Sequence, residues 1–180
     1  MKRTRVIGLG NTILSDDGVG VYAVREVRRR LDAMGCAETA DVVETEVGGF
    51  ALMELMDGWD QVILVDSIQF DGLEPGTVVK IDPADLRTSL RIRSVHEIDL
   101  PTVLSLGRCM GLHMPGSLCI YGIQAKDART FGENLTSPVR HGMQAAVNLM
   151  LDHLTTDSPG QFVDRQSQIV NVRSASGPLP

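Results

Sequence analysis

The chain has 180 residues and a mass of 19.5 kDa, enough for one compact domain around one hydrophobic core. Hydrophobic residues make up 43% and charged residues 22%, ordinary globular proportions that exclude a disordered or fibrous protein. Seventeen basic residues against 23 acidic ones leave a net charge of −6 and a pI near 5.1, so nucleic acid and anionic membrane surfaces are not expected partners.

Met1 to Ile7 carries positive charge, but Gly8 and Gly10 end its apolar run well short of a signal-peptide core. Thr4 to Ile7 reads as a short buried strand. From Val19 to Met34, apolar Val19, Val21, Ala23, Val24, Val27 and Leu31 alternate with Arg25, Glu26, Arg28, Arg29 and Arg30 at helical spacing, which predicts an amphipathic helix. Asp41 to Val47 is a second strand, and Phe50 to Met56 a short helix announced by Gly48-Gly49. The aliphatic run Val62-Ile63-Leu64-Val65, closed by Asp66, suits a central parallel strand covered on both faces.

Glu74-Pro75-Gly76 marks a turn, followed by a further strand, at an edge, over Thr77 to Ile81. Asp82-Pro83 then opens a short helix, with Asp82 as cap and Pro83 at the first helical position. Asp99 caps another through Met110, with Leu100, Val103, Leu104 and Leu106 on its apolar side. Leu118 to Ile123 is the last buried strand, and Ser137-Pro138 starts a final helix that runs to about Leu154. Strands and helices that alternate in this way predict a three-layer α/β sandwich, a mostly parallel twisted sheet covered by helices on both faces. The expected organisation is a single α/β domain over residues 1–154 and a flexible C-terminal tail over 155–180, where the periodic apolar pattern stops.

No stretch reaches the roughly 20 apolar residues of a membrane span. Cys36, Cys109 and Cys119 are odd in number and form no C-x-x-C, which argues against a disulfide framework or a thiolate zinc site. A reduced, cytoplasmic protein is expected. Cys119 lies in an apolar run and reads as a buried, inert thiol rather than a nucleophile.

The segment Gly8-Leu9-Gly10-Asn11-Thr12-Ile13-Leu14-Ser15-Asp16-Asp17-Gly18-Val19-Gly20 joins the first strand to the first helix, where α/β proteins bind ligands. It is not a dinucleotide loop, because Ile13 stands where G-x-G-x-x-G requires glycine and Asp16 and Asp17 would repel a pyrophosphate. Asp16 could simply cap the helix that begins near Gly18. Two adjacent aspartates exceed what a cap requires, and the flanking glycines let backbone approach whatever Asp17 faces.

Asp66, ending a central strand, is aimed at the same carboxyl edge; it could equally bind nearby loop amides. His96 lies in the connection before the helix capped by Asp99, whereas His113, His141 and His153 read as loop or helix-surface residues. Two carboxylates and an imidazole would suit a borderline divalent ion and leave coordination positions open, although no local motif such as H-E-x-x-H marks them.

At these residues the sequence resembles the hydrogenase maturation endopeptidases that process the large subunit of [NiFe] hydrogenases. Their opening pattern, G-x-G-N-x-x-x-x-D-(D/E)-x-x-G after a strand, is met position by position from Gly8 to Gly20. An aliphatic run ending in Asp, a Pro-Gly turn and a histidine before a helix are met by Val62 to Asp66, Pro75-Gly76 and Ser94-Val95-His96. The resemblance spans residues 4 to 154. It implies an α/β sandwich and assigns Asp17, Asp66 and His96 as metal ligands and site residues, with Asp16 beside the first. It further implies a cytoplasmic endopeptidase that removes a C-terminal extension from the large-subunit precursor after nickel insertion. The implied metal is nickel carried by that precursor, with another divalent ion such as zinc able to stand in its place. Such an ion would polarise the scissile carbonyl or acidify a bound water.

Family members often carry Asp directly before the Gly-Gly element after the second strand. Here Val47 precedes Gly48-Gly49 and Glu46 lies one residue earlier, so Glu46 is left outside the metal set. The alternative is a receiver-like signalling domain with Asp66 as phosphoacceptor and Lys126 following the last strand. Five residues between Gly10 and Asp16 count against it, since receiver acids sit at the strand end itself.

Overall fold

The computed structural model describes residues 2–46, 48–81, 100–155 and 169–171. Six strands form one mixed sheet in the order β2-β1-β3-β5-β4-β6: β1 is Thr4–Leu9, β2 Asp41–Thr45, β3 Gln61–Ile68, β4 Val78–Ile81, β5 Ser117–Gln124 and β6 Ile169–Asn171. β2, β1, β3 and β5 run parallel, while β4 is antiparallel to β5 and parallel to β6. Among the described residues four α-helices accompany them: α1 Val19–Ala33, α2 Phe50–Met56, α3 Leu100–Cys109 and α4 Ser137–Thr155. The expected α/β sandwich is the architecture found.

The helices divide between the two faces as strand alternation dictates. Val6, Ile63, Val65, Tyr121 and Ile123 pack with the apolar stripes of α1 and α4. Their neighbours Ile7, Val62, Leu64, Ile68 and Ile120 pack with α2 and α3 on the other face. Val62 to Val65 are at most 1% exposed, as a strand covered on both sides must be.

Three sequence readings change in detail. β3 continues past Asp66 to Ile68, because β5 keeps pairing alongside it from Asp66↔Gly122 to Ile68↔Gln124. β4 is not the outermost strand, since β6 pairs beyond it. β6 also places part of the expected tail in the sheet; residues 156–168 and 172–180 lie outside the described residues, as do the helix read from Asp82 and the Asp99 cap.

The connections leaving β1 and β3 part at the carboxyl edge. β1 leads to α1 on one face, whereas the chain leaving β3 enters β4 and, past residues 82–99, continues as α3 on the opposite face before returning as β5. Divergence of neighbouring connections at the carboxyl edge is where open α/β sheets place ligands. Glycine is required for the close approach of α1 to this point: a Cβ on Gly20 would run into the carbonyl oxygens of Leu9 and Val65.

Candidate functional site

β1 last pairs with β3 at Gly8↔Val65, so Asp66 and Ser67 lie past the last β1–β3 pair, in a notch beside the carboxyl end of β1, while still paired with β5. The loop from Gly10 to Gly18 fills that notch. Gly10 adopts φ +137°, and Ser15–Gly18 forms a single 3-10 turn that leads into α1. Ser15, at φ 48°, is held in this left-handed conformation by its N–H to Gly132 O (2.7 Å) and its hydroxyl to Asn134 O (3.2 Å).

The two adjacent aspartates face different partners. Asp16 is fully buried and does not cap α1, contrary to the simpler expectation. Its carboxylate instead accepts the backbone N–H groups of Lys126 (3.0 Å), Asp127 (2.9 Å) and Thr136 (2.7 Å), and the Thr136 hydroxyl (2.9 Å). Asp16 therefore clamps the β5–α4 connection against the first loop. Asp16→Ala strands buried donors at about 1–3 kcal/mol each, and is expected to lower the urea midpoint far more than Asp17→Ala does.

Asp17 turns towards the notch. Its Oδ2 accepts the Asn11 N–H (3.1 Å) and its Oδ1 the Ser67 hydroxyl (3.1 Å). Asp66 Oδ1 accepts the N–H of Ser67 (2.7 Å), so one serine joins both carboxylates. Among the described residues neither Asp17 nor Asp66 takes part in an ion pair. Burial, only partly offset by the Ser67 N–H and reinforced by the nearby Asp17 charge, pushes the Asp66 carboxyl up to about 7.

That shift has a defined consequence for stability. Because the folded pKa lies above the ordinary carboxylate value, the native state holds the proton more tightly, and Asp66 ionisation destabilises the fold as pH rises from about 4 through 7. Asp66→Asn should melt higher than the wild type at pH 8, by about 2–4 °C per kcal/mol of relieved cost, and equal to it at pH 4. Thermal melts at the two pH values check this.

Of the three expected site residues, Asp17 and Asp66 are thus brought together, and His96 lies outside the described residues. No group of three potential ligands gathers among the described residues alone. Glu46, just past β2, is exposed. His113 and His141 are exposed, but His153 turns inward from α4 to pair with Gln61 (2.6 Å). Cys119 is buried in the core, and among the described residues Lys126 meets the site through its backbone N–H on Asp16. Sequence reasoning missed Ser67, though its place directly after a strand-end aspartate was a usable signal.

A family profile described as "HycI: Hydrogenase maturation protease" matches residues 21–153. The chain belongs to the hydrogenase maturation protease family. It is accordingly a peptidase. The matched stretch includes Asp66 and His96; Asp17 precedes it. The hydrogenase expression/formation protein HupD of Rhizobium leguminosarum is 33% identical over 147 residues, 81% of this chain and 70% of that protein. Among solved structures, the hydrogenase maturating endopeptidase HybD from Escherichia coli superposes with a TM-score of 0.66 at 25% identity, covering 84% of this chain and 91% of that one. The [NiFe] hydrogenase maturation protease HybD from Thermococcus kodakarensis gives 0.62 at 26%, covering 85% and 99%.

Membership in this family sets aside the phosphoacceptor alternative. The topology agrees, because a receiver-type sheet runs 2-1-3-4-5 with all strands parallel, whereas here β5 precedes an antiparallel β4. No described helix is long and apolar enough to cross a membrane.

Proposed function

We propose that the protein removes the C-terminal extension of a [NiFe] hydrogenase large-subunit precursor after nickel insertion, and that Asp17, Asp66 and His96 recognise the nickel the precursor carries. The observation that carries this reading is the pair Asp17 and Asp66, joined through Ser67 at the carboxyl edge. Two partly buried carboxylates without an ion-pair partner among the described residues are a site that a divalent cation would stabilise. Oxygen donors fit nickel, and zinc could stand in for it.

His96 would add the nitrogen donor. In sequence, His96 precedes α3, which begins at Leu100, by four residues. A polypeptide substrate also suits the rim. Ile13 (50% exposed) and Phe131 (80%) stand on segments paired through the Gly132 N–H and the Ile13 carbonyl, beside the site.

When bound, the ion supplies Lewis acidity at the scissile carbonyl or towards a water. Asp17 and Asp66 would hold it through carboxylate oxygens, and Asp66, its carboxyl pushed up to about 7 by burial, would bind it in the ionised form. Purified protein mixed with nickel-loaded precursor should shorten the precursor by its C-terminal extension, read by intact mass. An unchanged mass would overturn the reading.

A further inference from the structure

We propose that Ser67 is a positioning residue that ties Asp17 and Asp66 into one donor set. The inference rests on the reading of these carboxylates as ion ligands given above. Its basis is that a single residue bonds both: the Ser67 hydroxyl donates to Asp17 Oδ1 at 3.1 Å, and the Ser67 N–H donates to Asp66 Oδ1 at 2.7 Å.

Strand alternation explains why position 67 has this reach. Asp66 shares its parity with Val62, Leu64 and Ile68, whose side chains pack with α2 and α3. Ser67 shares its parity with Ile63 and Val65, which face α1 and α4. Asp17, on the turn that enters α1, comes from the second of these faces. The two carboxylates thus approach the sheet edge from opposite sides, and the residue after Asp66 can touch both.

The hydroxyl fixes an otherwise soft torsion. The χ2 angle of aspartate is broad, so one hydrogen bond to one oxygen leaves the carboxylate plane free to rotate. Asp17 has a bond on each oxygen, Asn11 N–H on Oδ2 and Ser67 Oγ–H on Oδ1. Each oxygen retains a further lone-pair site for an ion. Loss of the Ser67 hydroxyl leaves Asn11 alone to orient Asp17, and the ion site loses its preorganisation.

Ni2+ titrated into the purified full-length chain, followed by calorimetry, tests this without recourse to activity. Ser67→Ala is expected to weaken Ni2+ binding about 10- to 100-fold, the usual effect of removing a partner that orients a ligand. Ser67→Thr and Ser67→Val separate hydrogen bonding from packing, since they match in shape and differ in the hydroxyl. Thr should restore the affinity and Val should not. In the precursor assay, Ser67→Ala should raise KM for nickel-loaded substrate, and Ser67→Thr should reverse the change. Wild-type affinity in the Ala or Val variants, with the wild type itself binding and processing, overturns the role of Ser67 alone. A wild type that neither binds Ni2+ nor processes the precursor overturns the ion-ligand reading and this inference with it.

Discussion

His96→Ala is expected to reduce processing of the nickel-loaded precursor by more than about a hundredfold while leaving the thermal melt unchanged. Removing a group that merely orients a metal ligand costs about 10- to 100-fold, so removing a ligand should cost more. The fold should tolerate the change, because the described core is built from other residues: Val6, Val24, Ile63, Val65, Ile120 and Val147 are all within 2% of complete burial on the two faces of the sheet. Asp17→Ala should behave in the same way, and Asp66→Asn should lose processing although it gains stability at pH 8. This opposition, activity lost while stability is held or raised, is the signature of groups kept for chemistry at the expense of the fold. Full processing by the His96→Ala variant would remove His96 from the site.

The sequence made the scaffold legible where burial repeats with a clear period. Val62 to Val65, a short unbroken aliphatic run, suited a strand covered on both faces, and Val19 to Leu31 carried the spacing of a helix with one apolar side. The direction of β4 was not legible, because four residues with one buried stripe read alike in parallel and antiparallel pairing. β6 was missed for a related reason: Ile169–Asn171 is too short to show a period, and its pairing with β4 is a non-local property.

The same limit governs the site. Asp17 and Asp66 stood out because a Gly-rich loop and a strand end converge on one edge by topology alone. Asp16 resisted the reading because its donors, at Lys126, Asp127 and Thr136, lie more than a hundred residues along the chain. A local rule therefore made it a helix cap, when it is the anchor that sets the loop. Burying a carboxylate in this way is tolerable only with its acceptor sites filled, and its three backbone N–H groups and one hydroxyl achieve that. The anchor leaves its neighbour Asp17 to face the notch, which accounts for the paired acids without giving both the same task.

Cleavage is expected only of precursor that already holds nickel, with little activity on an isolated C-terminal peptide. Asp17, Asp66 and His96 offer three donors at most, so the ligands the precursor itself contributes would complete the coordination sphere. The ion then lies between enzyme and substrate, and its full coordination energy appears only when the cargo is in place. Each tenfold preference for loaded over empty precursor needs about 1.4 kcal/mol, which one or two coordination bonds can supply. Paired assays on nickel-loaded and nickel-free precursor, scored by loss of the extension, measure the preference directly. An enzyme that instead kept its own zinc and read only peptide sequence would cleave both precursors equally and lose activity when treated alone with a chelator. Those two results together would transfer the metal from cargo to enzyme, and would leave the peptidase itself standing.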